Sequence, residues 1–129
     1  MSIRDNVFYR FEPRSVRMVV PSDVVGVYQL AHYVNGKLNI GYVGRSDTSL
    51  QERLATHNLL YRFDYFWFHV ERNVYEAFLA EARIWHELKD GQPLINKFHP
   101  AIPSGWSLRC PYCVALTQIR QFLQTKKSA

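Results

Sequence analysis

The sequence predicts a mixed α/β domain (α+β) in which helices flank a small three-stranded antiparallel sheet. Two strands surround Asn35-Gly36, a turn signal between "VVGVYQLAHYV" and "KLNIGYVG". The third is "DYFWFHVER", which is rich in aromatic and β-branched residues. Apolar residues recur at helical spacing in "DTSLQERLATHNLL" and "NVYEAFLAEARIWHELKDG", which supply the helices. With 129 residues the chain has room for one hydrophobic core, so we expect one domain.

The charge of the chain favours an anionic partner. Basic residues outnumber acidic ones by 16 to 11, which gives a net charge of +5. No apolar run approaches the ~20 residues that a transmembrane helix needs. The N-terminus also lacks the apolar block of a signal peptide. We therefore expect an intracellular, cytoplasmic protein that does not contact a membrane.

Residues 1–23 form an N-terminal extension to the domain. They contain the strand-like run "SVRMVV", which Pro21 ends. We expect this run to form a strand that lies against the main sheet.

The length of the hairpin loop decides whether Tyr28 and Tyr42 share a face of the sheet, because side chains alternate between faces along a strand. A two-residue loop would put the two tyrosines on different faces. A three-residue loop, with Gly36 in the left-handed bulge position, would pair Tyr28 with Tyr42. The same register pairs Leu30 with Ile40, which makes the more regular apolar row. We therefore predict the three-residue loop and neighbouring tyrosines.

The first predicted helix carries two polar candidates. Ser49 and Glu52 have the spacing of a capping box at its start, and Asp47 is an alternative cap. Arg53 and His57 are four residues apart, so we expect both on one helical face, about one turn from each other. Outside a site, such a face would simply be solvent-exposed.

The longest predicted helix follows a candidate N-cap at Asn73 and has one acidic residue within its apolar face. Glu81 lies seven residues after Val74, in the middle of the apolar stripe. Burial of an unpaired carboxylate costs roughly several kcal/mol, so a cation, a metal ion or several hydrogen-bond donors must face it. A buried salt bridge with Arg53 is the structural alternative to a metal site.

Residues 99–129 form a C-terminal segment, packed on the same domain, with two cysteines and a predicted amphipathic helix. Cys110 and Cys113 form a Cys-Pro-Tyr-Cys motif, which suits metal binding or redox chemistry better than a disulfide framework. A Zn²⁺ site needs four ligands and the motif supplies two, so His86, His99 or a second subunit would complete it. Unligated buried thiols are the alternative.

Five polar residues interrupt the apolar pattern of the predicted strands and helices: Tyr28, Tyr42, Arg53, His57 and Glu81. Along the chain the order is Gly26-Val27-Tyr28 and Tyr42-Val43-Gly44, then Arg53, His57 and Glu81, and then Asn96. In this order residues 24–98 resemble the GIY-YIG nuclease domain, although valine replaces isoleucine in both tripeptides. The "KDGQP" loop also places Asn96 farther from Glu81 than in compact members of the family. The resemblance implies a small α/β fold and cleavage of phosphodiester bonds with one divalent metal ion.

The resemblance also implies roles for these residues. Tyr28 and Tyr42 correspond to the active-site phenols, and Arg53 to the arginine that binds phosphate. Glu81 corresponds to the ligand of a metal ion, Mg²⁺ or Mn²⁺, and Mg²⁺ usually takes only one or two protein carboxylates. Tyr28 would orient or deprotonate the attacking water. His57 would accept the proton of the phenol.

DNA is the partner that the resemblance implies. Arg45 and Ser46, which follow the second tripeptide, and Asn96 are candidate contacts to nucleic acid. A homodimer or another protein partner stays open. The alternative function is a non-catalytic nucleic-acid-binding or protein-interaction module that keeps the fold, with a zinc site at the cysteine pair. Taken singly, Tyr28 and Tyr42 have an ordinary interpretation as strand packing.

Overall fold

A long β-hairpin forms the centre of the fold. The computed structural model describes residues 7–96, 99–107 and 109–113. The hairpin consists of β2 (Val25–Val34) and β3 (Lys37–Ser46). Asn35 and Gly36 alone connect the two strands, with φ angles of 51° and 77°. Both angles lie in the left-handed region that a tight two-residue turn requires, so the three-residue loop that we predicted is wrong.

A bulge in this hairpin places Tyr28 and Tyr42 on the same face despite the shorter loop. The paired residues are Val34 with Lys37 and Ala31 with Ile40 near the turn, then Leu30 with Tyr42 and Tyr28 with Gly44. Gly41 is the extra residue in β3. It shifts the pairing by one residue, so that Tyr42 lies on the face of the sheet where we expected it from a three-residue loop. The two tyrosine rings stack with their centroids 6.1 Å apart. The predicted pairs of Tyr28 with Tyr42 and of Leu30 with Ile40 are wrong, whereas the predicted proximity of the tyrosines is confirmed.

The described sheet has four antiparallel strands rather than three. Their order is β1-β4-β2-β3, where β4 (Tyr65–Glu71) is the predicted aromatic strand. β1 (Tyr9–Arg10) comes from the N-terminal extension and pairs with β4. A strand of two residues is too short for an alternating pattern to reveal it. The mixed α/β class is confirmed, and β3 lies at one edge of the sheet.

The run "SVRMVV" belongs largely to a helix, α1 (Pro13–Val19), so the predicted strand is wrong. Pro13 lies in the first turn, where its missing N–H has no helical partner to lose and its fixed φ favours the helix. Val16 and Val20 are four residues apart and both are buried, so the apolar spacing is helical as well. Together with Phe11 they belong to the hydrophobic core, which anchors the extension to the domain.

Both predicted helices form within the described residues, with the predicted caps. α2 (Leu50–Ala55) begins after Ser49, whose Oγ accepts a backbone N–H at 3.3 Å. α3 (Val74–Leu88) begins after Asn73, whose side chain accepts a backbone N–H at 2.9 Å. Because α2 already ends at Ala55, His57 lies beyond it, and our expectation that it shares a helical face is wrong.

Helices cover both faces of the sheet. α1 and α2 pack on one face around Tyr28, Leu30 and Phe66, and α3 packs on the other around Val27 and Trp67. β4 is therefore buried on both sides at Phe66 and Trp67, as predicted. In the described part of the chain, none of the helices is long and apolar enough to cross a bilayer. Of the predicted C-terminal helix only residues 111–113 are described, and they are helical; the rest lies outside the described residues.

Candidate active site

A cavity of about 500 Å³ lies at the C-terminal end of the edge strand β3. Three predicted site residues line it from three elements: Tyr42 from β3, Arg53 from α2 and Glu81 from α3. Arg45 and Ser46, our candidate nucleic-acid contacts, line the same cavity. The fold thus brings residues that are distant in sequence to one space that solvent can enter.

Glu81 is buried, with 8% of its surface exposed, and it forms an ion pair with Arg45. Nη1 of Arg45 donates to Oε1 of Glu81 at 2.6 Å, so Arg45 takes the position that we had considered for Arg53. No described residue donates a hydrogen bond to Oε2 of Glu81. Burial raises the pKa of Glu81 to about 7, although the charge of Arg45 acts in the opposite direction.

Arg45 is held by acceptors on three sides. Besides Glu81, its guanidinium donates to Oδ1 of Asp47 at 2.8 Å and to the carbonyl oxygen of Ala101 at 2.6 Å. Its side chain is only 10% exposed. Charge-assisted hydrogen bonds of this kind fix Arg45 in place, and they direct it toward Glu81 rather than toward solvent.

Asp47 also lines the cavity, a position that the sequence analysis missed because we considered it only as a helix cap. The short Arg-x-Asp spacing in "GRSD" is the signal that could have revealed it.

Ser46 has a structural contact of its own, since its Oγ accepts the Thr48 N–H at 3.4 Å and only 6% of the residue is exposed.

Tyr28 lies directly behind the cavity wall and has no exposed surface. Its hydroxyl oxygen accepts a hydrogen bond from Nε of Arg53 at 3.4 Å and lies 2.8 Å from Nε2 of His57. Burial raises the pKa of the Tyr28 phenol above its ordinary range. Tyr42, stacked on Tyr28, is therefore the phenol that faces the cavity.

The hydrogen bonds of His57 settle which of its nitrogens carries the proton. Nδ1 accepts the backbone N–H of Leu59 at 3.0 Å, so Nδ1 must present a lone pair. Burial lowers the pKa of His57 to about 4, helped by the nearby charge of Arg53, so the ring is neutral near pH 7. Nε2 then carries the proton and donates a hydrogen bond to the Tyr28 hydroxyl. That His57 accepts the proton of the phenol during a reaction stays a prediction.

Gly44 is adjacent to Tyr28 across the hairpin, and its missing side chain makes room for the tyrosine. A Cβ atom at position 44 would lie 2.5 Å from both Cζ and Oη of Tyr28. The second tripeptide therefore needs glycine so that the buried phenol can lie flat against the strand. This close packing accounts for the glycine at position 44.

Asn96 lies apart from the cavity. Its Oδ1 accepts the Val43 N–H at 3.3 Å, and its Nδ2 donates to the Val43 carbonyl at 2.7 Å. Together with the hydrogen bond from the Ile95 N–H to the Gly41 carbonyl, these contacts close the exposed edge of β3. Both ends of its amide are thus engaged by the strand.

A second group of chemically reactive side chains lies at the C-terminal end of α3. His86, His99, Cys110 and Cys113 each place one ligand atom within 4.8 Å of the others. The two cysteines are not joined by a disulfide. The two histidines that the sequence suggested as completing ligands therefore both lie beside the motif.

Comparisons with known proteins found no relative of this chain. Neither a family model, nor a curated protein, nor a solved structure matches it. The geometry of the cavity and the order of its residues along the chain are therefore what indicates a function.

Proposed function

We propose that this protein is a metal-dependent endonuclease of GIY-YIG type that hydrolyses phosphodiester bonds in DNA. The observation that supports this most strongly is the shared cavity, into which Tyr42, Arg53 and Glu81 project from three elements. Tyr28 accepts a hydrogen bond from Arg53 behind the wall of the cavity, and His57 hydrogen-bonds to Tyr28. Phosphodiester hydrolysis requires a positioned phosphate, an oriented water and stabilisation of the developing negative charge.

Arg53 is the residue best placed to bind the scissile phosphate. Its Nε donates to Tyr28, while Nη1 and Nη2 donate to no acceptor within the described residues. A guanidinium fixed at Nε presents its two outer nitrogens as a planar fork, which matches two phosphate oxygens. Tyr28 thus acts through Arg53 as a positioning residue.

Tyr42 is our candidate for contact with the attacking water. It lines the cavity, whereas Tyr28 is fully covered. Its ring packs against Tyr28 on one side and lies edge-on to His57, with centroids 5.4 Å apart. These two contacts restrict the ring, so the hydroxyl has a defined direction toward water or a phosphate oxygen.

The residues of the cavity fit a hard divalent cation such as Mg²⁺ or Mn²⁺. Glu81 borders the cavity with one carboxylate oxygen that receives no hydrogen bond from the described residues, and Asp47 is close by. One or two carboxylates completed by water are the usual protein contribution to a Mg²⁺ site. When bound, such an ion would offset negative charge on the phosphate and on the departing 3′ oxygen.

One contact favours the second function, a nucleic-acid-binding or protein-interaction module without catalysis. Arg45 already forms a 2.6 Å ion pair with Oε1 of Glu81, which compensates the charge of the carboxylate without a metal ion. In a module of this kind the pair would be purely structural. The two functions therefore differ in whether the chain cleaves DNA and, if it does, in whether cleavage requires the Glu81 carboxylate.

Incubation of the full chain with supercoiled, branched and single-stranded DNA, with Mg²⁺, Mn²⁺ or a chelator, discriminates between them. We expect metal-dependent nicking of at least one substrate, with Glu81→Gln abolishing nicking while the DNA affinity measured by fluorescence anisotropy stays within about threefold. Glu87→Gln is the matched control, because it makes the same change on an exposed part of α3. Binding that persists without cleavage across all substrates and metals would support the module instead.

A further inference from the structure

We propose that His86, His99, Cys110 and Cys113 form a structural Zn²⁺ site, separate from the nuclease cavity. The four ligand atoms lie within 4.8 Å of one another. Nε2 of His86 is 3.2 Å from Sγ of Cys113 and 3.6 Å from Sγ of Cys110. In a tetrahedron with Zn–N of about 2.0 Å and Zn–S of about 2.3 Å, the nitrogen and sulfur ligands lie about 3.5 Å apart. The two separations from His86 to the cysteines therefore match two edges of such a metal-centred tetrahedron.

The hydrogen bond that Nδ1 of His99 donates leaves Nε2 with a lone pair that can bind a metal ion. Nδ1 of His99 lies 2.8 Å from the carbonyl oxygen of Pro100 and donates to it, so Nε2 carries the lone pair. Nε2 is buried and has no hydrogen-bond partner among the described residues. A buried acceptor without a partner is rare, and a zinc-binding histidine typically donates its second N–H to a carbonyl in this manner.

The donor set indicates zinc and a structural role. Two thiolates and two imidazoles in a tetrahedral arrangement are typical of Zn²⁺, whereas Mg²⁺ and Mn²⁺ prefer oxygen ligands. Four protein ligands also leave no position open for a substrate, which distinguishes a structural site from a catalytic one. The site therefore takes a different ion from the one proposed at Glu81.

The position of the site suggests what the zinc ion stabilises. His86 belongs to the last turns of α3, and Cys110 packs against Phe78 and Ala82 of the same helix. The other ligands come from the segment that follows α3. Zinc would fasten this segment to the helix, and with it Ala101, whose carbonyl accepts the hydrogen bond from Arg45 at 2.6 Å. The proposal holds whether or not the cavity cleaves DNA.

The test is the zinc content of the untagged full chain, measured by inductively coupled plasma mass spectrometry. We expect one zinc ion per chain in the wild type. His86→Gln, His99→Gln and Cys113→Ser should each lower the zinc content at least tenfold, because the remaining three ligands no longer close the tetrahedron. His69→Gln is the control histidine outside the cluster, and it should keep the full zinc content.

Replacement of the zinc by Co²⁺ in the wild type keeps the test valid if the variants do not fold. We expect the visible absorption of tetrahedral Co²⁺ together with thiolate-to-metal charge transfer. A wild-type chain that neither carries zinc nor takes up an equimolar amount of Zn²⁺ or Co²⁺ would overturn the proposal. Full zinc content in either histidine variant would overturn the four-ligand assignment.

Discussion

Replacement of Gly44 by alanine tests how the buried phenol is packed. The new Cβ would lie 2.5 Å from two atoms of Tyr28, whereas carbon atoms in contact are about 3.5 Å apart. Tyr28 is fully buried and hydrogen-bonded to His57 and Arg53, so it cannot move aside without weakening those bonds. Overpacking costs about 1–3 kcal/mol, and loss of a buried hydrogen bond costs about 1–3 kcal/mol more.

The lower entropy of the unfolded alanine chain returns at most about 1 kcal/mol, so we expect Gly44→Ala to lower the free energy of unfolding by about 2–4 kcal/mol. Urea denaturation followed by tryptophan fluorescence measures this loss. Gly91→Ala is the matched control, because a Cβ there meets no atom within 4 Å, and it should leave stability unchanged or raise it by up to about 1 kcal/mol. Equal stabilities of the two variants would refute the packing of Tyr28 against Gly44.

Three further predictions concern the site and a helix cap. Tyr28→Phe removes the acceptor of two N–H donors and should cost about 1–3 kcal/mol in denaturant unfolding, whereas Tyr42→Phe should cost less than about 0.5 kcal/mol. His57→Gln should remove the part of the pH dependence of stability that His57 contributes. The pKa of His57 is about 4 in the folded protein and about 6.5 in the unfolded chain, so the unfolded state binds more protons between these values. The stability difference between the wild type and His57→Gln should therefore change by roughly 2–3 kcal/mol over that pH range in favour of the wild type at the higher pH. Glu81, whose pKa burial raises to about 7, acts in the opposite direction in both proteins and cancels in this difference. Ser49→Ala should cost about 1 kcal/mol, because it removes the N-cap of α2.

Each of these three predictions can be contradicted by its measurement. Equal losses for Tyr28→Phe and Tyr42→Phe would mean that the Tyr28 hydroxyl is not the buried acceptor. Parallel stability curves of the wild type and His57→Gln between pH 4 and pH 6.5 would show that His57 does not stay neutral on folding. No change in the denaturant midpoint of Ser49→Ala would contradict the cap.

The long elements were predictable because their signals are local. The Asn35-Gly36 turn, the aromatic run of β4 and the apolar stripe of α3 each occur within one segment, so propensity and periodicity indicate them directly. α1 was not predicted, because valine-rich "SVRMVV" favours a strand by propensity, while Pro13 and the core contacts of Val16 favour the helix. The bulge at Gly41 depends on pairing between strands, which one sequence does not reveal.

Most residues of the candidate site could be predicted from the sequence, whereas most of the contacts between them could not. A carboxylate in an apolar stripe pointed to Glu81, and the structure buries it beside a cation and a cavity as this anomaly required. Its partner could not be predicted, because the choice of Arg45 over Arg53 depends on how β3 and α3 meet. The direction of the hydrogen bond between His57 and Tyr28 depends on the Leu59 N–H, which donates to His57 in the turn that follows α2.

The rate of Mg²⁺-dependent nicking in Glu81→Gln, compared with the wild type and Glu87→Gln, tests the central claim most directly. If the Glu81 carboxylate holds the catalytic ion, the wild-type rate should rise with Mg²⁺ and saturate. Glu81→Gln should then be at least about 100-fold slower, and Glu87→Gln should stay within about twofold of the wild type. Wild-type nicking that Glu81→Gln leaves unchanged would contradict the claim, and so would a wild-type chain that binds DNA but cleaves none of it at any Mg²⁺ concentration.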